Sequence, residues 1–230
     1  MMTAEILKDL EKGKFCEVIT SWREVPIRIK LSVRWVSPQE RFVSFDFKDC
    51  KFRHVFSESV PVYIKVREIF FACKVFSNIR DELVLEVESP VPAPPVVMRE
   101  FIRVEPLEKE PVYVSFCSED KCIVRVKAVD ISESGVGVVL KKEHTDELMD
   151  ILSQASTNIE SMHMPFELEI ELPREGIVRA KGELKNIISK EDNVYVRLGF
   201  KLNLEEDQTR KIRQYIMRRQ REILEQLKSI

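Results

Sequence analysis

The chain has 230 residues, of which 44% are hydrophobic and 33% charged, and its formal net charge is −2. This length suits two domains, and the composition is that of a soluble globular protein. The near-balanced charge excludes a general attraction to polyanions, so any anion site has to be local. No segment approaches the roughly 20 apolar residues of a membrane span, and residues 1–12 lack the apolar core of a signal peptide. We therefore expect a cytoplasmic protein.

The sequence contains few residues of the kind that bind metals. Its five cysteines are Cys16, Cys50, Cys73, Cys117 and Cys122. An odd number without a Cys-x-x-Cys pair favours reduced thiols that pack as small hydrophobic side chains. The three histidines, His54, His144 and His163, are scattered, and neither they nor the cysteines have ligand spacing. We expect no metal site and no cofactor.

The first part of the chain carries the patterns of one helix and several strands. A short amphipathic helix comes first, since Thr3 can cap it and Gly13 can end it. Residues 27–35 then alternate between apolar and polar side chains, which predicts a half-buried antiparallel strand. Further strands are predicted at 41–47, 60–66, 69–76 and 82–87. Residues 1–88 are therefore predicted to form a small β-barrel domain.

A proline-rich segment follows the first domain. Its four prolines are Pro90, Pro92, Pro94 and Pro95. Proline fixes φ and removes the amide that a central strand needs. Residues 89–98 are therefore predicted to be a domain linker that favours an extended, semi-rigid conformation.

The second part of the chain is also rich in strand patterns. Strands are predicted at 112–116, 122–128, 137–140, 166–172, 178–187 and 193–200. A short helix is predicted at 145–155, and a long one from Glu205 to about Leu227, where apolar residues share one face. The fold class is therefore mainly β. We expect residues 99–230 to form a second barrel domain with a C-terminal helix.

Two separated groups of residues have chemistry that suits a guanine nucleotide. Arg99 and Arg103 lie four apart directly after the prolines, and Asp130, Ser132 and Gly135 lie near a predicted strand end. Arginine presents a fork of donors that matches phosphate oxygens and the O6 and N7 edge of guanine. A carboxylate accepts from guanine N1 and N2. The Asp-x-Ser-x-x-Gly group alone is typical of many hairpins, so the combination carries the hypothesis.

With these two half-motifs the sequence resembles the PilZ family. The family pattern is Arg-x-x-x-Arg followed by Asp/Asn-x-Ser-x-x-Gly on a six-stranded β-barrel, and the resemblance covers about residues 97–227. The layout of the first part is similar to the split N-terminal barrel of flagellar-brake PilZ proteins. The resemblance implies two β-barrel domains, and a receptor for cyclic di-GMP rather than an enzyme.

The resemblance also implies roles for the site residues. Arg99 and Arg103 would hold phosphate and guanine, Asp130 and Ser132 would hydrogen-bond the ligand, and Gly135 would keep the loop close. Met98 stands where the family often has another arginine, which leaves open whether one or two nucleotides bind. Met98, Arg179 and Arg197 are further candidate contacts. For the two arginines, a solvated strand face is the competing interpretation.

A mechanism follows from where the two arginines lie. Segment 96–103 is expected to be mobile without ligand, and its closure over the dinucleotide would change the orientation of the two domains. Such a receptor regulates motility, biofilm or exopolysaccharide output through a flagellar motor or stator protein or another effector. Recruitment to the flagellar basal body and a homodimer through the C-terminal helix are options. The alternative function is a protein–protein adaptor that does not bind nucleotide.

The basic C-terminal helix suggests a different partner. Its cations are Arg210, Lys211, Arg213, Arg218, Arg219 and Arg221. They could meet nucleic acid or anionic lipid, or they could solvate a helix that packs on the barrel. We favour the second interpretation and expect no nucleic-acid partner, because nearby glutamates and Asp207 dilute the charge.

Overall fold

The computed structural model describes residues 2–57, 59–118, 121–141, 148, 165–189 and 195–229. The chain divides into two compact units. The first comprises Met1–Glu100 together with Glu222–Ile230, and the second comprises Phe101–Arg221. The predicted domain limits, 1–88 and 99–230, stay a prediction.

The first unit contains a closed six-stranded antiparallel barrel. A helix, α1 (Met2–Leu7), precedes the strands, and a single 3₁₀ turn (Arg53–Val55) lies between β3 and β4. The strands are β1 (Phe15–Trp22), β2 (Val25–Ser37), β3 (Phe42–Asp46), β4 (Val62–Val66), β5 (Ile69–Ile79) and β6 (Glu82–Val91). Their order around the barrel is β1-β2-β3-β6-β5-β4, and pairing of β1 with β4 closes it. A closed barrel leaves no strand edge unpaired.

The second unit contains another closed six-stranded antiparallel barrel. Its strands are β7 (Tyr113–Ser118), β8 (Lys121–Ser132), β9 (Gly135–Lys141), β10 (Pro165–Leu172), β11 (Gly176–Ser189) and β12 (Tyr195–Asn203). They are ordered β10-β11-β12-β9-β8-β7, and β10 closes the barrel on β7. Three core rings, Phe116, Phe166 and Phe200, meet inside with centroids 5.0–5.9 Å apart. This barrel carries β8 and β9, the strands of the second half-motif.

The last helix of the chain is α3 (Glu206–Ser229). The apolar positions Ile212, Tyr215, Ile216, Ile223 and Leu227 are all buried, as the helical spacing predicts. The long helix and its apolar face are therefore confirmed. Among the described helices, none is both long and apolar enough to cross a membrane.

Most of the predicted strands are confirmed, and the fold class is the predicted one. Both barrels and the terminal helix are present. Strand β1 was not predicted, because Val18, Ile19 and Thr20 are buried in succession and the segment does not alternate. The helix predicted at 145–155 lies outside the described residues except for Leu148, which is buried.

The extended conformation predicted for the proline segment holds at its start, in strand β6, and is wrong at its end. Strand β6 continues through Pro90, which lies opposite Phe71 in the register with β5. Residues Pro95–Met98 form a short helix, α2. Proline is tolerated at the first position of a helix, where its missing N–H has no partner to lose. The proline segment therefore belongs to the first unit and is more structured than the prolines alone suggest.

The prediction of reduced thiols is wrong for one pair of cysteines. Cys117 and Cys122 lie opposite each other in the β7–β8 hairpin and form a disulfide. Their spacing matches no common motif, so the contact follows from strand pairing. Cys16 and Cys73 are buried thiols, and burial raises the pKa of Cys16 to about 12.

Candidate functional site

Arg103 lies beside the end of strand β8 because of its neighbour Val104. The amide of Val104 donates to the Ile131 carbonyl, and the amide of Ile131 donates back, each over 3.0 Å. Val104 is buried, so this short antiparallel bridge is anchored in the second unit. Phe101 and Ile102, which lie between the two motif arginines, are outside the strands. The residue that anchors Arg103 is therefore Val104, directly after it.

Asp130 is a buried carboxylate shared by two arginines. Its side chain is 3% exposed and lies on β8, opposite Gly137 of β9. Oδ1 accepts a long, 3.4 Å hydrogen bond from Arg103 Nη1, and Oδ2 accepts a bond from Arg197 Nη2. A buried carboxylate is costly without such partners. The structure thus brings together Arg103 of the first half-motif and Asp130 of the second.

Arg197 reaches the same cluster from strand β12, which pairs with β9. The side chains of Arg103 and Arg197 are 39% and 44% exposed, whereas Asp130 between them is enclosed. Each contact with Asp130 uses one Nη atom of a guanidinium that has five N–H donors. The cluster therefore presents two partly exposed cationic forks that are held by one carboxylate.

The two glycines near this cluster allow close approaches. A Cβ atom on Gly135 would lie 2.8 Å from the Phe200 carbonyl oxygen, and one on Gly137 would lie 2.6 Å from Asp130 Oδ2. Neither φ angle is in the left-handed region, so the requirement is for space. Ser132 is buried, and its hydroxyl donates to the Gly135 carbonyl over 3.3 Å. These residues set the shape of the β8–β9 hairpin.

Helix α3 supports both half-motifs from the side. Arg213 forms a bidentate ion pair with Glu133 in the β8–β9 turn, with contacts of 2.7 to 3.1 Å, and this carboxylate raises the pKa of Arg213. Arg219 is 1% exposed, and its Nε donates to the Glu105 carbonyl over 2.9 Å. Glu105 follows Arg103 by two residues, so the helix fixes the segment that carries the arginine.

The support from α3 was not predicted from the sequence. Its arginines were interpreted as solvated or as a polyanion surface. In the structure, Arg213 binds Glu133 and Arg219 binds the Glu105 carbonyl. Arg218 pairs with Glu175, and Lys211 Nζ donates to the Ile177 carbonyl. These contacts agree with the favoured interpretation of a helix that packs on the barrel.

Arg99 and Met98 belong to the first unit. Met98 ends α2 and is 69% exposed. Arg99 Nη1 donates to Oε2 of Glu24 over 2.7 Å. The boundary between the units falls between Glu100 and Phe101, so the two motif arginines lie on either side of it in the sequence.

Arg179, the remaining candidate, is placed away from the motif residues. It lies on β11, where its Nε pairs with Glu169 over 3.1 Å and its side chain is 78% exposed. An open cavity of about 580 Å³ is lined by both residues and by Lys181, but by none of the motif residues. Its placement agrees with the solvated strand face. Within the described ranges, no group of three His, Cys, Asp or Glu side chains could hold a metal ion.

Fold and site together define a protein of two six-stranded barrels, in which the second unit carries Arg103, Asp130, Ser132 and Gly135 of the PilZ pattern and the first unit carries Arg99. The chain belongs to one family with an Aquifex aeolicus (strain VF5) protein described as "Uncharacterized protein". The two are 32% identical over 231 residues, which cover 100% of this chain and 97% of the relative. No family model matches the chain.

Several solved structures match the chain at low sequence identity and with TM-scores below 0.5. The K. pneumonia MrkH–c-di-GMP complex is 12% identical with a TM-score of 0.46, covering 94% of this chain and 92% of that one. YcgR from Escherichia coli in complex with c-di-GMP is 14% identical with a TM-score of 0.43, covering 97% and 92%. The Bacillus subtilis inhibitor of motility (MotI/DgrA) is 13% identical with a TM-score of 0.42, covering 91% and 97%.

Proposed function

We propose that this protein is a receptor for cyclic di-GMP that acts by binding, without a catalytic step or a cofactor. The observation that carries the proposal is the cluster of Arg103 and Arg197 on the buried carboxylate of Asp130. Partly exposed guanidinium forks are suited to a phosphodiester and to the O6 and N7 edge of guanine. The cyclic dinucleotide offers both groups twice.

The charges of this cluster fit an anionic ligand. Two arginines and one aspartate leave one net positive charge at the end of the second barrel, although the chain as a whole is slightly acidic. Asp130 also supplies acceptor oxygens for guanine N1 and N2, and Ser132 adds a hydroxyl at the same hairpin. The specific ligand is inferred from the PilZ pattern that these residues complete.

Arg99 is proposed as a second ligand contact from the same motif. It precedes Arg103 by four residues, and its guanidinium already binds one carboxylate, that of Glu24. Met98 beside it contributes no charge, so any contact that it makes is apolar. The number of dinucleotides that bind together is left to the stoichiometry of the titration.

Isothermal titration calorimetry with cyclic di-GMP tests the proposal. The parent protein should bind with a measurable heat, and Arg103→Ala should lower the affinity by about 10- to 150-fold, since a hydrogen bond to a charged group contributes about 1.5–3 kcal/mol. Arg179→Ala is the matched control, because it removes an exposed arginine from the same barrel. Absence of heat with the parent would contradict the proposal and favour the alternative, an adaptor that binds only proteins.

We propose further that ligand binding changes the orientation of the two units and so regulates motility, biofilm or exopolysaccharide output. The support is positional, since the motif arginines lie on either side of the boundary at Glu100. The partner would be a flagellar motor or stator protein or another effector. Small-angle scattering with and without cyclic di-GMP should show a changed scattering profile. An unchanged profile at saturating ligand would contradict this mechanism.

A further inference from the structure

The guanidinium of Arg99 is engaged by an anion of the protein itself. Arg99 Nη1 lies 2.7 Å from Glu24 Oε2, and the two side chains are 27% and 32% exposed. Partial burial reduces the solvent screening that weakens fully exposed ion pairs. Within the part of the chain that the structure describes, Glu24 is the only hydrogen-bond partner of the Arg99 side chain. The pair thus ties Arg99 to the β1–β2 hairpin of the first unit.

The turn that presents Glu24 has an unfavourable backbone for its residues. Trp22 and Val25 pair directly, so Arg23 and Glu24 form a two-residue hairpin turn. Their φ angles are 49° and 69°, in the left-handed region, where such turns usually have glycine or asparagine. Placing a residue other than glycine or asparagine in this left-handed conformation costs about 1 kcal/mol or more of folding free energy. Glycine would relieve this cost but would remove the carboxylate that binds Arg99.

A carboxylate and a phosphodiester compete for the same donors. Each offers two oxygens that can accept from the two arms of the guanidinium, and both form short, charge-assisted hydrogen bonds. The contact between Glu24 and Arg99 uses the same guanidinium that the motif would offer to a ligand phosphate. Binding of an anion at Arg99 therefore has to replace an existing ion pair.

We propose that Glu24 is an intramolecular competitor of the ligand for Arg99. In the free protein its carboxylate occupies the guanidinium, and ligand binding breaks this pair and releases the segment after α2 from the hairpin. The ligand's identity rests on the proposed function, whereas the ion pair and its effect on the segment do not. The affinity for the ligand is then reduced by the fraction of molecules in which Arg99 is held by Glu24.

Glu24→Gln tests the competition directly. The substitution keeps the shape of the side chain and removes its charge, so the affinity for cyclic di-GMP in calorimetry should rise by about three- to tenfold. Glu40→Gln is the matched control, because it removes the same charge from the exposed β2–β3 turn, where Glu40 bonds only Ser37 among the described residues. Its affinity should stay within about twofold of the parent. An unchanged or lower affinity for Glu24→Gln would overturn the proposal.

Hydrogen exchange in the absence of ligand provides a second readout. The amides of Val97, Met98 and Arg99 donate to the carbonyls of Pro94 and Pro95, and they should exchange about fivefold faster in Glu24→Gln than in the parent or in Glu40→Gln. Equal exchange in the three proteins would overturn the proposal, whatever the ligand. If the parent binds no cyclic di-GMP but the exchange accelerates as expected, the ion pair stands and only the proposed ligand fails.

Discussion

Asp130→Ala is expected to lower the affinity for cyclic di-GMP by at least about 100-fold, because the substitution removes an acceptor and the group that positions two donors. Without the carboxylate, Arg103 and Arg197 lose their common partner and repel each other. Both arginines are more than a third exposed, so water can solvate them and the barrel should still fold. Calorimetry measures the affinity, and circular dichroism checks the fold.

Two companion variants separate this role from a general change of charge. Glu169→Ala removes another arginine-paired carboxylate from the same barrel and should leave the affinity within about twofold. Gly137→Ala keeps the carboxylate but places a Cβ only 2.6 Å from Asp130 Oδ2, so the carboxylate has to shift, and binding should weaken by about tenfold. If Asp130→Ala binds as tightly as the parent, the carboxylate is not part of the ligand site.

Arg219→Ala is expected to destabilise the second unit by about 3 kcal/mol, because it empties the space of a large buried side chain and removes a hydrogen bond. Arg219 is 1% exposed and holds the Glu105 carbonyl. The segment that carries Arg103 should loosen as well. Arg210→Ala, which removes an exposed guanidinium from the same helix, should change the stability by less than about 0.5 kcal/mol.

Urea unfolding followed with two probes can assign the loss of stability in Arg219→Ala to the second unit. Both tryptophans, Trp22 and Trp35, lie in the first barrel, so their fluorescence reports that unit, whereas circular dichroism reports both. In Arg219→Ala the circular dichroism signal should begin to fall at lower urea than the fluorescence signal. Coincident curves with the parent's midpoint would mean that Arg219 contributes little to the stability of the second unit.

The strands could be predicted from the sequence wherever one face of the strand is buried and the other is exposed to solvent. In β2, the alternation of apolar and charged residues follows from the pleat, since successive side chains point to opposite faces. Strand β1 gave no such pattern, because Val18, Ile19 and Thr20 are all enclosed. Thr20 is accommodated there because its hydroxyl donates to the Pro61 carbonyl, a contact that no local pattern indicates. Strand β1 was therefore missed because its polar residue Thr20 has its hydrogen-bond partner 41 residues away in the sequence.

Candidate residues of the site could be named from the sequence, but most of their contacts could not. Arg103 and Asp130 were expected from their spacing and chemistry, and the structure places them in contact. Arg197 was named as a candidate contact, but its pairing with Asp130 was not expected, because the two are 67 residues apart and an arginine in an alternating strand normally faces solvent. Arg219 lies in an amphipathic helix and bonds a residue 114 positions away. Only the closure of the barrel and the packing of α3 determine these two contacts.

The composition of the first unit has a consequence for how the protein is made. That unit includes Glu222–Ile230 as well as Met1–Glu100, and Ile223 and Leu227 in this stretch are fully enclosed. Translation delivers the earlier barrel first, yet the residues that finish its unit emerge from the ribosome only after all strands of the later barrel. Domains commonly fold as they are synthesised, N-terminal first. Here the order of completion is reversed, so a nascent chain halted before Glu222 would expose an unfinished apolar surface to chaperones.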